Sequence, residues 1–281
     1  MSEDTVAGRG ERSAGVIDEY YGAGRSSTVL YDVLEGIFRP VGPEVAFYLE
    51  LAGGIGTPIL DLGCGTGRIA WALAEAGRRV VGVDCAAAML DLARRKAGNY
   101  DEAVRERVSF LAGNGCSLQL GRTFDLVLSP HRVFNELLTL ADQRAFLASI
   151  RRHLAPGGRA VLDTSRVPYE HIFNRSELLS RPPMVVNFPH LGLHLERRPV
   201  DIRTDLLDQT VEVHIRFTMK TAAGAIHSDH VDRTMQRWAA PAEMRLLFEL
   251  AGFCILGEYQ GYDRSPLQGQ GDCVWVLEAV S

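Results

Sequence analysis

The chain has 281 residues, 46% of them hydrophobic and 23% charged. That is enough to bury a full core and more than one minimal α/β domain needs. Its 30 basic and 35 acidic residues leave a formal net charge of −5, with no basic cluster longer than Arg94-Arg95-Lys96 and only pairs such as Arg151-Arg152 elsewhere, which speaks against a nucleic-acid partner. No apolar run approaches the roughly 20 residues of a membrane span, and the polar start Met1 to Arg12 lacks a signal-peptide core, so a cytoplasmic protein without a membrane partner is expected. Five cysteines without C-x-x-C spacing suggest neither a disulfide framework nor a zinc site.

Residues 1–15 are rich in Gly, Ser and charge and read as a disordered tail. Val16 to Tyr21 and Thr28 to Ile37 read as short helices, and Pro43 to Ala52 as an amphipathic helix with apolar residues at 45, 47, 48, 51 and 52. Residues 16–57 are therefore expected to form an N-terminal helical lid. A core over 58–165 follows, with strands at 58–62, 79–83, 107–112, 124–128 and 159–163 and helices at 67–76, 86–97 and 139–154. This α/β alternation implies a parallel sheet covered on both faces.

From Val185 the pattern changes. Thr210 to Phe217 alternates apolar residues 211, 213, 215 and 217 with polar neighbours, Ala222-Ala223-Gly224 supplies a turn, and His227 to Trp238 runs back. With Leu191 to Arg197 as a further strand, residues 166–238 read as an inserted antiparallel sheet, and 239–281 as a helix from Pro241 to Ala251 and a closing hairpin.

The densest chemical signal is Ile59-Leu-Asp61-Leu-Gly63-Cys64-Gly65-Thr-Gly67-Arg68, a buried strand running into a glycine loop that opens a helix. Three glycines within five residues remove the Cβ atoms that would keep a ligand from the backbone N–H groups. Seventeen residues on, Val80-Val-Gly-Val-Asp84 is a second apolar strand ending in a carboxylate. The dinucleotide fingerprint requires glycine where Arg68 stands, and no Walker pattern occurs.

This segment resembles motif I of the class I S-adenosylmethionine-dependent methyltransferases, with Asp84 matching the acid that ends their second strand. Val108 to Gly115, Thr123 to Ser129 and Arg152 to Asp163 resemble the family's later strands in the same order. The resemblance implies a Rossmann-like fold, a seven-stranded mostly parallel sheet with an N-terminal lid and an inserted antiparallel substrate cap. It also implies S-adenosyl-L-methionine as cofactor and S-adenosyl-L-homocysteine as product. Asp61, Gly63, Cys64, Gly65 and Gly67 would cradle the methionine portion and ribose, with Cys64 packing the turn. Asp84 would accept both ribose hydroxyl protons, beside Cys85. Asn114, standing where Asp is common, and Gly115 would flank the adenine, the Asn114 amide oxygen accepting from its amino group. Ser129, ending the fourth strand, would adjoin the donor, and Tyr20 or Tyr21 would close over it, the latter near the reacting sulfonium.

A methyl transfer needs alignment more than covalent help. Where the acceptor must lose a proton, His131 in Ser129-Pro-His-Arg-Val-Phe-Asn135 is the expected base, with hydrogen bonding to the backbone as its alternative role. Arg132, Asn135, His194 and Arg237 are expected to bind the acceptor. The histidines of the insertion lack a completing carboxylate motif, and no metal site is expected. The expected reaction is methyl transfer to a small polar acceptor, an amine or amino sugar ahead of a hydroxyl, in secondary metabolism. A different reaction on the same donor, a non-catalytic nucleoside-binding module, and use of the inserted sheet for a homodimer stand as alternatives.

Overall fold

A computed structural model of the chain describes residues 19–38, 41–165, 169–268 and 272–280. The expected disordered tail and the start of the first helix lie outside these residues. Eleven strands are described, in chain order β1 Ile59–Leu62, β2 Val80–Asp84, β3 Val108–Ala112, β4 Phe124–Ser129, β5 Leu154–Thr164, β6 Met184–Phe188, β7 Leu193–Asp205, β8 Thr210–Thr221, β9 Ile226–Arg237, β10 Phe253–Tyr259 and β11 Cys273–Ala279. They form a seven-stranded sheet in the order β10-β11-β5-β4-β1-β2-β3 and a four-stranded sheet in the order β6-β7-β8-β9. Packing divides the chain into two units: one holds the seven-stranded sheet with residues 32–166 and 239–281, the other the four-stranded sheet with the described residues before 32. The stretch read as a single lid thus divides one residue into the helix Tyr31–Phe38.

In the larger unit, β1 to β5 run parallel and only β11 is reversed, pairing antiparallel with both β5 and β10. Every residue of β1 is buried, as a parallel strand covered on both faces requires. Leu60, Leu62, Val127, Ala160, Leu162 and Trp275 face one layer, packed with Phe146, Leu147 and Ile150 of the helix Leu140–His153 and Met244, Leu247 and Phe248 of the helix Pro241–Leu250. Their neighbours Ile59, Leu126, Leu128 and Val161 face the opposite layer, against Phe47 and Tyr48 of the helix Val41–Leu51 and Ile69, Ala70 and Leu73 of the helix Arg68–Glu75. Strand order reverses between β1 and β4, so the carboxyl ends of these two strands flank the crevice where such sheets take their ligands.

The smaller unit is an antiparallel meander whose inward residues Val211, Ile215 and Phe217 confirm the period-two reading. Two features escaped the sequence. β7 continues through Pro199, where the register shifts, to Asp205, and β6 pairs with its first half; a proline and a run of charges mask a strand that bulges. His190 and His194 are separated by a 3-10 turn and the start of β7, as their flanking residues suggested. Among the described residues no helix is long and apolar enough to cross a membrane.

Trp275 is the largest fully buried side chain, and its indole N–H donates to Thr164 Oγ1 at 2.8 Å. Trp275→Ala is expected to destabilise the larger unit by about 3–5 kcal/mol, through the lost area, the cavity and the orphaned threonine. Urea unfolding followed by circular dichroism measures the loss.

Candidate active site

The glycine loop continues the pairing of β1 with β2. The N–H groups of Gly63 and Cys64 both donate to the Val83 carbonyl, at 2.7 and 3.0 Å, and Gly67 N–H closes a turn onto Cys64 O at 2.9 Å. Gly63, Gly65 and Gly67 all take left-handed φ, +82°, +54° and +74°. A Cβ on Gly63 would stand 2.5 Å from Val133 and one on Gly67 2.7 Å from Phe110, whereas one on Gly65 would meet only Met89, at 3.5 Å. Two glycines therefore serve close packing, and Gly65 leaves its side of the loop open. Cys64 is buried against Gly82, and burial pushes its thiol well above the ordinary range, so it packs the turn.

Asp84 ties the loop to the end of β2. One carboxylate oxygen accepts from Gly65 N–H at 2.7 Å and the other from Ala86 N–H at 2.8 Å. Burial raises its pKa against the lowering effect of these amides. The Cys85 backbone N–H favours its charge as well, and of the roughly four acceptor sites of a carboxylate this leaves room for a further donor. Asp61 is different: it is fully buried and makes no hydrogen bond of good geometry among the described residues, the Ala70 backbone N–H alone lying near enough to favour its charge. Burial, then the charge of Asp84, push its pKa up to about 7, with Arg68 opposing and Glu44 adding to the rise.

Beyond β4 the backbone turns through two consecutive left-handed non-glycine residues, His131 at φ +63° and Arg132 at +62°, a conformation that costs of order 1–3 kcal/mol per residue. Asp163, at the end of β5, holds it: Oδ2 accepts His131 N–H at 2.8 Å and Tyr262 O–H at 2.5 Å, and Oδ1 accepts Tyr48 O–H at 2.7 Å. Burial pushes Asp163 up to about 6 even with these donors, and Glu44 adds to the rise. The His131 ring lies with Nδ1 3.3 Å from Arg68 Nη2, and Arg68 is paired through Nη1 with the buried Glu44. Asn135, in the 3-10 turn Val133–Glu136, accepts Ser165 N–H at 2.8 Å through Oδ1, fastening the same loop to β5.

The structure brings Asp61, the glycine loop, Asp84, Ser129, His131, Arg132 and Asn135 to the carboxyl ends of β1, β2 and β4. Ser129 is fully buried and its hydroxyl lacks a partner among the described residues. Cys85 follows β2 as an exposed residue whose thiol is pushed up to about 12, first by burial of the sulfur and then by Asp84. Asn114 follows β3, but its amide oxygen accepts Cys116 N–H at 2.8 Å, so the group expected to read adenine also builds a turn. A Cβ on Gly115 would stand 2.5 Å from Phe146, which makes that glycine a packing requirement.

The remaining expected residues belong to the smaller unit. Tyr20 and Tyr21 meet edge to face at 4.8 Å, with Tyr31 6.0 Å from Tyr21. Their segment is held by Asp232 of β9, which accepts Ser27 N–H and O–H at 2.9 and 2.8 Å. His194 pairs across from Lys220, and Arg237 from Thr210. Those partners are ten residues apart along β8, roughly 33 Å. The expectation that His194 and Arg237 share one small acceptor is thus corrected: the length of β8 keeps them apart. Arg237 is buried and bonded to Gln209 Oε1 at 2.5 Å, and His194 lies 3.8 Å from Glu196.

Sequence reasoning missed Glu44, Tyr48, Asp163 and Tyr262, passed over Arg68, and missed Asp32 and Lys96, which hold Thr66 of the glycine loop. Asp163 carried a readable signal, an acid closing an apolar strand as Asp61 and Asp84 do, and Glu44 and Tyr48 are spaced to share a helix face. Among the described residues no group of three or more His, Cys, Asp or Glu is placed to hold a metal ion.

An open backbone loop, a carboxylate at the end of β2 with acceptor capacity to spare and a buried, poorly compensated carboxylate in β1 fit a nucleoside carrying an α-amino group. The comparisons agree. A family model described as a methyltransferase domain matches residues 59–158. Cypemycin N-terminal methyltransferase from Streptomyces sp is 31% identical over 249 residues, 88% of this chain and 94% of that protein. The chain belongs to the class I S-adenosylmethionine-dependent methyltransferases. The S-adenosylmethionine-bound structure of an amino pentose methyltransferase from Micromonospora echinaspora is also similar, at 27% identity and TM-score 0.64 over 87% of this chain and 96% of that one. The CcbJ methyltransferase from Streptomyces caelestis shares the fold at 24% identity, with TM-score 0.68 over 86% of this chain and 91% of that one. The cofactor of this methyltransferase is S-adenosylmethionine, as its family and solved relatives show.

With Asp61 near half ionised at pH 7, an ammonium bound against it favours the charged carboxylate and drives off its proton. Donor binding at pH 7 is therefore expected to release about half a proton and to weaken as pH falls below 7. Calorimetry in two buffers of different ionisation enthalpy measures the release, and Asp61→Asn should abolish it.

Proposed function

We propose that this methyltransferase N-methylates a small amine, an amino sugar or the amino terminus of a short peptide, in the biosynthesis of a natural product. The observation that carries the proposal is similarity over 249 residues, 88% of the chain, to an enzyme named for N-terminal methylation. The amino pentose methyltransferase supports it from a second acceptor class. The cofactor supplies an electrophilic methyl group on sulfonium. The chain's contribution is to bind and orient: Asp84 at the ribose, Asp61 at the amino group, the glycine loop along the backbone between them, and the turn after β4 at the reacting side.

The local charge suits this chemistry. Glu44, Asp61, Asp84 and Asp163 surround the carboxyl ends of β1, β4 and β5, opposed by Arg68, and such a field favours a cationic donor and an ammonium-forming acceptor. An amine attacks through its lone pair and must arrive deprotonated, which bulk water accomplishes without a protein base. The apparent kcat/KM is then expected to rise about tenfold per pH unit below the amine's own pKa.

The test is to incubate the protein with S-adenosylmethionine and matched amines and alcohols, reading methylated product by mass spectrometry. Methylation of amines, lost in Asp84→Ala together with calorimetric donor binding, is the expected result. Turnover confined to hydroxyl acceptors would overturn the nitrogen preference, and cofactor consumption without a methylated product would favour another reaction on the same donor.

A further inference from the structure

We propose that Asp163 is a positioning residue for the S-adenosylmethionine donor: the oxygen it offers to the His131 backbone N–H sets the loop after β4, and that loop holds the glycine loop in its binding form. The inference rests on the S-adenosylmethionine site and does not need the amine acceptor proposed above.

Pro130 ends the pairing of β4 with β5. It carries no N–H, and the last paired residues are Ser129 and Leu162. The next backbone donor along the chain, His131 N–H, goes to Asp163 Oδ2 at 2.8 Å rather than to the backbone of β5. A side chain one residue beyond the last pair thus takes over from the ladder. His131 and Arg132 are both left-handed there, a conformation that non-glycine residues keep only where their surroundings impose it.

The carboxylate is itself aimed. Tyr48 O–H donates to Oδ1 at 2.7 Å and Tyr262 O–H to Oδ2 at 2.5 Å, which fixes its rotation about the Cβ–Cγ bond with Oδ2 facing His131. Packing does not require an acid in this place, because Asp163 is buried almost completely and leucine has the same branched shape. What leucine lacks is an acceptor for the N–H.

The loop passes this constraint on. Val133, two residues after His131, stands where a Cβ on Gly63 would come within 2.5 Å of it, so it forms a wall against the glycine loop. Asn135 Oδ1 accepts Ser165 N–H at 2.8 Å, and the loop is thereby fastened to the end of β5 on both sides of that wall. The far flank of the glycine loop is tied separately, through Gly63 and Cys64 N–H to the Val83 carbonyl and through Gly65 N–H to Asp84. Releasing His131 loosens the near flank, and backbone N–H groups that can turn do not stay aimed at a ligand.

Calorimetry with S-adenosylhomocysteine on the full chain tests this, with urea unfolding of the same samples. In Asp163→Leu/Tyr48→Phe the acid gives way to its apolar shape and the buried Tyr48 hydroxyl is removed with it, while Tyr262 O–H keeps Glu44 Oε1, 3.3 Å away, as acceptor. His131 N–H is then the group that has lost its partner. Stability is expected to stay near wild type, and S-adenosylhomocysteine affinity to fall about threefold to thirtyfold. Asp163→Asn keeps an oxygen in the Oδ2 place, and the Tyr48 hydroxyl turns to accept from its amide N–H. It should hold affinity within about twofold. A ligand-free readout accompanies both variants: in 15N-glycine-labelled protein the Gly63 and Gly65 amide resonances should shift in the double variant and stay in place in Asp163→Asn. Unchanged affinity in the double variant, or glycine resonances that do not move, would overturn the proposal. So would a loss in Asp163→Asn as large as in the double variant, which would assign the effect to charge, or a loss that follows lowered urea stability, which would make Asp163 a structural group alone. A wild-type chain that binds no S-adenosylhomocysteine would remove the donor site and the proposal with it.

Discussion

The carboxylate of Asp163 is the point on which the larger unit's working edge hangs. It sits at the end of β5, almost wholly withdrawn from solvent, and takes hydrogen bonds from Tyr48 on the helix before β1, from Tyr262 after β10 and from the backbone of His131 after β4. Three segments far apart in sequence are fixed to one ion. Hydrogen bonds to a charged acceptor are worth about 1.5–3 kcal/mol each, yet the pKa of Asp163 is still raised to about 6, so desolvation outweighs its three donors. The group is kept at a cost because it does something a hydrophobic residue would not: it accepts the N–H of a left-handed residue and so determines where the loop after β4 goes.

That loop determines the rest of the site. Val133 packs against Gly63 too closely for any side chain there, Asn135 fastens the loop again to Ser165, and the His131 ring reaches Arg68 at the start of the next helix. The glycine loop is thereby clamped between β2, through Asp84, and the loop after β4. Backbone N–H groups can be aimed at a ligand only if the loop that carries them does not relax, and here both of its flanks are fixed.

What could be read from the sequence follows the range of the interactions. The glycine loop, Asp61, Asp84 and the β/α alternation declare themselves within windows of ten residues, because strand burial, left-handed turns and helix starts are local demands. The inserted sheet was legible in Thr210–Phe217 for the same reason. The Asp163 cluster was not: its partners lie 115, 99 and 32 residues away, and nothing in a tyrosine's local sequence says that its hydroxyl will meet a carboxylate. Arg68 was noticed only as the residue that breaks a dinucleotide fingerprint, while its pairing with Glu44 and His131 depends on the fold. Misplaced expectations have the same origin. Expecting His194 and Arg237 to meet one acceptor overlooks their pairing along β8, which separates them; the turn that the Asn114 amide oxygen builds while keeping a second lone pair is likewise a contact its local sequence does not announce.

The edge as a whole concentrates unfavourable terms. Two left-handed non-glycine residues follow β4, a buried hydroxyl at Ser129 lacks a partner among the described residues, and Asp61 is withdrawn from solvent with only weak help from the Ala70 N–H and Arg68 for its charge. Strain of this kind persists only where the surroundings over-determine it, and the carboxylates, tyrosines and arginine around β1, β4 and β5 do that. A cation placed against Asp61 removes the largest of these penalties without moving the backbone. A cation bound there would draw on free energy already stored in the fold, as an ionisation held near pH 7 rather than near its ordinary value. This couples ligand affinity to folding through one carboxylate. Supplying Asp61 with a stronger hydrogen-bond donor of its own would relax the fold and weaken the attraction for such a cation in the same step.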